Sequence, residues 1–253
     1  MIESSTDEPL RVVVFFSGSA SGLRYLADND PNYGDEYEVV GGFTDSPDCP
    51  GVEHLGSLGI PVETTDIDEF YSERGHEDTT DLDVREEFDA RTRELIRDFD
   101  PDLVLLSGYM RILTPPLVDA YPVINVHPAD LRVEDDDGER VYTGFDPVYD
   151  AVEAGEPYTR SSVHLVTTDV DDGPLIVVSR PFEVHHELVE TLSEFDADDA
   201  FESYVESHQE WMKWEGDGPA LAKALELIAE GRVRFEDNEV LIDGDTGPFV
   251  MER

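Results

Sequence analysis

Short apolar runs separated by amphipathic or acidic stretches set the rhythm of this chain. Residues 11–16 form a β-rich run that ends in Ser17, Gly18, Ser19, Ala20, Ser21 and Gly22, after which Leu23, Leu26 and Ala27 take up helical spacing. Strand, small-residue turn and helix in that order open a nucleotide-type α/β fold. A second strand is predicted over 37–43, a short helix over 52–58 and a short strand over 60–64. Residues 66–80 are acidic and unpatterned, which predicts loop. The clearest helix spans 84–99, where Phe88, Leu95, Ile96 and Phe99 fall on one apolar stripe and Asp100-Pro101 ends it.

Leu103–Leu106 is continuously apolar, as a strand covered on both faces of a parallel sheet must be. A helix over 115–120, a buried strand over 123–126, a helix over 145–154 and strands over 162–166 and 175–182 follow. Residues 183–199 are acidic and weakly patterned. Residues 200–230 are helical with an interruption at 216–218; Pro219 suits a first helical turn and Gly231 a C-terminal stop. Residues 233–235 and 240–242 flank Asp237-Asn238 as a terminal β-hairpin. Strands alternating with helices predict an α/β fold: a doubly wound, mostly parallel sheet with a C-terminal helix and β-hairpin. Without repeat or linker, a single domain is expected over 1–253, with a polar tail at 1–9 and an acidic loop at 130–143.

Charge changes this picture most. The 253 residues include 61 acidic and 17 basic ones, a net charge of −44, and only Lys213 and Lys223 are lysines. The acid is spread along the whole chain. Such a surface repels nucleic acid and membranes and points to a salty cytoplasm, where screening is strong. Cys49 is the single cysteine, so no internal disulfide forms. The longest plain apolar run, 12–16, is too short to span a bilayer, and the start is unlike a signal peptide. Small-molecule partners are therefore expected, for a monomer or homodimer.

Ile124-Asn125-Val126-His127-Pro128 sits where a buried strand runs out. Ligands of doubly wound sheets bind at such carboxyl ends. Asn125 and His127, two apart on an extended strand, share a face. An amide that donates to an oxyanion beside an imidazole that handles protons suits acyl transfer; a strand-end Asn and His also serve purely structural ends. Asp169-Val170-Asp171-Asp172-Gly173-Pro174 is a tight acidic loop. It reads equally as an ordinary turn, and it lacks the ligand series of a calcium loop. His185-His186 reads as a solvated pair, so no metal is expected.

Taken together, these segments resemble the 10-formyltetrahydrofolate-dependent formyltransferases. The Asn-x-His-Pro strand end and the Asp-x-Gly-Pro loop occur in the family's order. Gly108-Tyr109-Met110-Arg111-Ile112-Leu113 is similar to its folate-site segment, and Ser162-Val163-His164 to its Ser-Val-His strand. Residues 17–22 resemble its phosphate loop, and 229–244 the hairpin of the branch that acts on glycinamide ribonucleotide. The resemblance implies catalysis by Asn125, His127 and Asp171, with Asp171 favouring a protonated imidazole and His164 in support. It implies folate binding by Met110, Arg111, Ile112, Leu113 and Asp169, with 10-formyltetrahydrofolate as co-substrate. Phosphate and substrate binding would fall to Ser19, Ala20, Ser21, Gly22 and Glu210. Departures lie on the acceptor side: Ala129-Asp130-Leu131-Arg132 and an acidic stretch follow the His-Pro pair, Phe145-Asp146-Pro147 replaces a His-containing segment, and Ala20 and Gly22 replace Gly and Asn. Other purine-pathway amines, a formyltetrahydrofolate hydrolase and a silent folate- or nucleotide-binding module are the alternatives. A tRNA-directed formyltransferase fits poorly with the charge and with a C-terminus offering only a hairpin.

Overall fold

The computed structural model describes residues 8–194, 198–236 and 239–252. The chain begins with β1 (Leu10–Phe16), α1 (Ser21–Asn29), β2 (Tyr37–Thr44), α2 (Pro50–Ser57), β3 (Val62–Thr64), α3 (Ile67–Ser72), α4 (Leu82–Ile96) and β4 (Leu103–Leu106). It continues through α5 (Pro115–Val118), β5 (Val123–His127), α6 (Pro147–Glu153), β6 (Tyr158–Thr159), β7 (Ser162–Leu165), β8 (Leu175–Val178) and β9 (Phe182–Glu183). It closes with α7 (His186–Glu194), α8 (Asp198–Met212), a π-helical segment Lys213–Asp217, α9 (Gly218–Ala229), β10 (Val233–Glu236), β11 (Glu239–Ile242), β12 (Asp245–Thr246) and β13 (Phe249–Val250).

Among the described residues, eight strands form one sheet in the order β13-β8-β7-β5-β4-β1-β2-β3. From β3 to β5 all pairings are parallel; β7 runs antiparallel to both β5 and β8. Side-chain alternation along β1 explains the layers. Val12, Val14 and Phe16 join a core with Leu23 and Leu26 of α1, Leu55 of α2 and Leu221 and Leu225 of α9. Val13 and Phe15 join the opposite core with Phe70 and Tyr71 of α3, Phe88 and Ile96 of α4 and Leu117 of α5. Both faces of the sheet are thus covered by helices, as the unbroken apolar strands require. Order reverses at β1, whose successor β2 lies on one side and β4 on the other. That switch point opens a crevice at the carboxyl ends of β1 and β4.

Several segments differ from the sequence expectation. The stretch read as loop over 66–80 contains α3: Asp66 accepts from the Glu69 N–H at 3.0 Å, and Ile67, Phe70 and Tyr71 are buried at i, i+3 and i+4. Residues 183–199 contain α7. The strand expected over 175–182 is split, because Ser179 to Pro181 leave β8 and Phe182 pairs instead with Thr159 in a separate two-stranded sheet. The interruption at 216–218 is a widened π turn joining α8 to α9. The terminal hairpin pairs Val233 with Ile242 and gains β12 as a third strand; its turn, Asp237-Asn238, lies outside the described residues. β13, not anticipated, adds parallel to β8.

One buried acid ties helix α4 to the cleft. Asp89 is 0% exposed and accepts from both the N–H and the hydroxyl of Thr114 at 2.7 Å. Burial pushes its carboxyl from 3.8 up to about 6, with Thr114 and Arg85 opposing. A raised carboxyl holds a proton in the folded chain that the unfolded chain has released. Its contribution to stability is therefore complete below pH 4 and is lost as pH rises to about 6. The expected loss is about 3 kcal/mol. Denaturant unfolding from pH 4 to 7 should show this step, and Asp89→Asn should remove it.

Candidate active site

The crevice is a cleft of about 460 Å³. Three chain segments supply its frame. At the first, β1 ends and Ala20 adopts a left-handed conformation (φ 51°) immediately before α1. This is the position where the resemblance has glycine, and an L-residue there costs about 1–2 kcal/mol. The N–H groups of Gly22 and Leu23 donate to the Ser107 hydroxyl at 2.9 and 3.3 Å. A side chain on Gly22 would meet that oxygen at 2.8 Å. Gly22 therefore lines the cleft with its amide engaged by Ser107. Ser19, Ala20 and Ser21 line the cleft beside it.

The second segment, residues 108–113, is pinned from behind. Arg111 donates to the fully buried Asp45 carboxylate at 2.6 Å, and the next residue along, Thr114, is held by Asp89. Leu113 packs into the core, whereas Met110 and Ile112 are 51% and 47% exposed. Met110 and Ile112 thus face the cleft rather than filling the core, and with Phe145 (74% exposed) and Val170 (50%) they form an apolar rim. Neither Phe145 nor Val170 is among the folate-site residues that the resemblance implies.

The third segment brings the polar residues together. Asn125 Nδ2 lies 3.4 Å from His164 Nε2 across the β5–β7 pairing, in which the two residues are register partners. His164 Nδ1 donates to the Leu165 carbonyl at 3.0 Å, which turns Nε2 toward Asn125 and Asp171. Asp171 places Oδ2 3.5 Å from His127 Nδ1 and Oδ1 3.5 Å from His164 Nε2. His127 Nε2 donates to the Tyr142 carbonyl at 2.9 Å. Asp171 itself sits in a left-handed turn (φ 52°), and its Oδ2 also accepts from the Gly144 N–H at 2.9 Å. Asp169 lines the cleft from the exposed side of the same loop. The four side chains expected to act together, Asn125, His127, His164 and Asp171, therefore converge.

Burial pushes the His127 imidazole below its ordinary value; Asp171 and the Tyr142 carbonyl pull it up, while His164 and Arg140 add to the depression. Asp171 favours the protonated imidazole as expected, but burial outweighs it, so the free protein holds a neutral His127 at neutral pH. Burial also pushes Asp171 up, but His164, His127 and the Gly144 N–H together hold it below the usual carboxylate range. A neutral Nδ1 and a carboxylate oxygen are both acceptors. A proton arriving at Nδ1 finds a counter-charge already in place.

Glu210 does not reach the cleft. It is exposed and accepts from Lys213 Nζ at 2.9 Å and Trp214 Nε1 at 2.8 Å. Gln209, Lys213 and Asp217 line the cleft instead. The widened turn at Lys213–Asp217 sets which residues of this long helix face inward. Burial pushes Asp217 up to about 7 against Ser161 and Lys213. Among the described residues, no group of three or more potential metal ligands assembles.

The fold and this amide, imidazole and carboxylate group define an acyl-group-transfer enzyme of the α/β class, and residues 10–207 match the family described as formyl transferase. The chain belongs to that family. It is similar to the phosphoribosylglycinamide formyltransferase of Escherichia coli, 27% identical over 244 residues that cover 94% of this chain and 96% of that one. The solved phosphoribosylglycinamide formyltransferase of Coxiella burnetii shares its fold, with a TM-score of 0.72 at 24% identity over 96% of this chain and 100% of that one. A formyltetrahydrofolate deformylase of Bacillus subtilis is 35% identical, but over 96 residues that cover 37% of this chain and 29% of its own.

The Asp171 turn depends on Gly173. A Cβ there would lie 1.7 Å from the Leu165 carbonyl oxygen, so no side chain fits without moving the loop off β7. Gly173→Ala should lower turnover by about 10²-fold, the cost of a displacement of order 1 Å at a reacting group. Steady-state kinetics beside a thermal melt that still reports a folded protein would check it.

Proposed function

We propose that this enzyme transfers the formyl group of 10-formyltetrahydrofolate to the amine of glycinamide ribonucleotide, a step of purine biosynthesis. The observation that supports this reading most directly is the convergence of Asn125, His127, His164 and Asp171 in a cleft flanked by a helix-opening loop on one side and an apolar rim on the other. Such a cleft suits two substrates. The amides of Ser19, Ala20 and Ser21, at the opening of α1, receive the phosphate. Main-chain groups around Arg111 and Leu113, with Met110, Ile112 and Asp169, receive the folate. The match along nearly the whole length of the Escherichia coli enzyme favours its acceptor.

In the reaction the amine nitrogen attacks the formyl carbon, and the carbonyl electrons move onto oxygen. Asn125 N–H donates to that oxyanion. The nitrogen then sheds a proton to the neutral His127, whose imidazolium is stabilised by Asp171 and the Tyr142 carbonyl. The bond from the formyl carbon to the folate N10 breaks, and N10 takes up the proton. The deformylase likeness supports a second reading in which water replaces the amine. The charge of −44 supports work in a cytoplasm of high ionic strength, where neighbouring carboxylates are screened.

The assay is direct. The protein is incubated in 2 M and in 0.1 M KCl with 10-formyltetrahydrofolate and glycinamide ribonucleotide, aminoimidazole carboxamide ribonucleotide or no acceptor, and tetrahydrofolate is followed by absorbance. Release should require glycinamide ribonucleotide and be faster in high salt; release without an amine selects the hydrolase, and none at all ends the reading. Asn125→Ala and His127→Ala should each lower kcat by about 10²–10³-fold. Because His127 must be neutral to take the proton, kcat/KM should fall as pH drops through a midpoint below 6.5. Asp171→Asn, which removes the charge that raises His127, should move that midpoint lower still.

A further inference from the structure

The acidic run after Pro128, a departure from the resembling family, folds as a tight hairpin rather than a free loop. Val141 N–H donates to the Val133 carbonyl at 3.1 Å, and Glu134 bridges Arg140 in antiparallel fashion. Asp135 closes the turn: its N–H donates to the Glu139 carbonyl at 2.9 Å, and its Oδ1 accepts from Asp137 and Glu139 N–H at 2.9 and 3.0 Å. The acids at 134–137 and 139 are exposed. Arg140, the cation ending this run, is half-buried and turned the other way. Its Nη1 donates to the main-chain carbonyls of Asp171 and of Gly173, the latter at 3.0 Å.

Two further ties come from the next residues at alternate positions. The Tyr142 carbonyl accepts from His127, and the Gly144 N–H donates to the Asp171 carboxylate. Residues 140, 142 and 144 therefore fasten His127 and Asp171, which lie on different strands and loops, to one short piece of backbone. Of the three ties only that of Arg140 uses a side chain, so it alone can be removed by substitution without touching a reacting group. Its planar guanidinium presents several N–H donors from one rigid head, whereas a lysine ammonium is a single compact donor centre.

We propose that Arg140 is a positioning residue: delivered by the acidic hairpin, it holds the left-handed Asp171 turn at the distance from His127 and His164 that proton transfer needs. The inference rests on the formyl-transfer reading for its kinetic consequence, and on geometry alone for its effect on the two imidazoles. Arg140→Ala should lower kcat by about 10–10²-fold, the range expected for slack of order 1 Å, with KM for either substrate changed less than threefold. Arg140→Lys should recover part of the loss. Methylguanidinium at tens of millimolar should restore turnover in Arg140→Ala and leave the parent unaffected.

A substrate-free readout separates this proposal from the functional one. In protein labelled with ¹⁵N-histidine, the imidazole signals of His127 and His164 should shift together in Arg140→Ala, while those of His54 and His76 stay in place. Unchanged imidazole signals, or a folded Arg140→Ala with parental kcat, would overturn the proposal. If Arg140→Ala does not fold, Asp135→Ala decides: loosening the hairpin turn, remote from the cleft, should shift the same two signals by a smaller amount, and an unchanged spectrum overturns it. A parent protein without formyl transfer to any acceptor would end the functional reading, and the histidine spectrum would still decide the role of Arg140.

Discussion

A carboxylate shared between two buried imidazoles is the constraint on which the rest of the structure turns. Asp171 stands 3.5 Å from both His127 and His164, yet it comes from a loop, whereas they come from two strands of the central sheet. Bringing a loop acid to that point requires a left-handed residue, a glycine pressed against the Leu165 carbonyl, and a second segment that supplies donors. Each is locally unfavourable or demanding. They persist because the sheet beneath is rigid and packed on both faces. The ionised acid is stabilised by its neighbours although burial opposes it, and the imidazole beside it is kept neutral by that same burial. The pair is poised, with one group charged and the other ready to become so.

The sheet accounts for the place of this group. Crossing from β1 to β2 on one side and to β4 on the other leaves a gap that no connection fills, and the loops after β1, β4 and β5 border it. Buried polar anchors then hold those loops still. Ser107 engages the first turn of α1, Asp45 holds Arg111, and Asp89 holds Thr114. Together these anchors fix the backbone that borders the cleft. Arg111 is instructive in this respect: its guanidinium is engaged by the buried Asp45 at the back of the segment rather than turned free into the cleft.

Much of this was legible in the sequence, for physical reasons. Continuous apolar runs such as Leu103–Leu106 admit little other than strands covered on both faces, and the stripe through Phe88 and Ile96 admits only a helix. Asn125 and His127 sit at a strand end, where alternation fixes their common face. Short elements were hidden because their apolar residues lie among acids: α3 rests on Ile67, Phe70 and Tyr71 within a run that reads as polar. The hairpin at 133–141 was hidden for a related reason. Its hydrogen bonds are main-chain and Asp135-mediated, which leave no hydrophobic period to read, and the one signal was a solitary arginine at the end of an acidic series. The neutral state of His127 needed coordinates, since burial competes with the neighbouring charge and sequence gives only the charge.

Glu210 lies exposed one turn before the π segment Lys213–Asp217, whose geometry carries a further consequence. A helix that admits one additional residue in a turn rotates everything on one side of that point by about 100° relative to the other, the angular step of a single helical residue. Any comparison that assumes an unbroken α-helix slips there. The same geometry has an evolutionary meaning. Adding or removing one codon in this stretch would exchange Gln209, Lys213 and Asp217 for a different set of side chains along the wall of the cleft, while the buried face of α9 stayed seated on the sheet. This wall of the cleft can be rewritten by insertion as readily as by substitution.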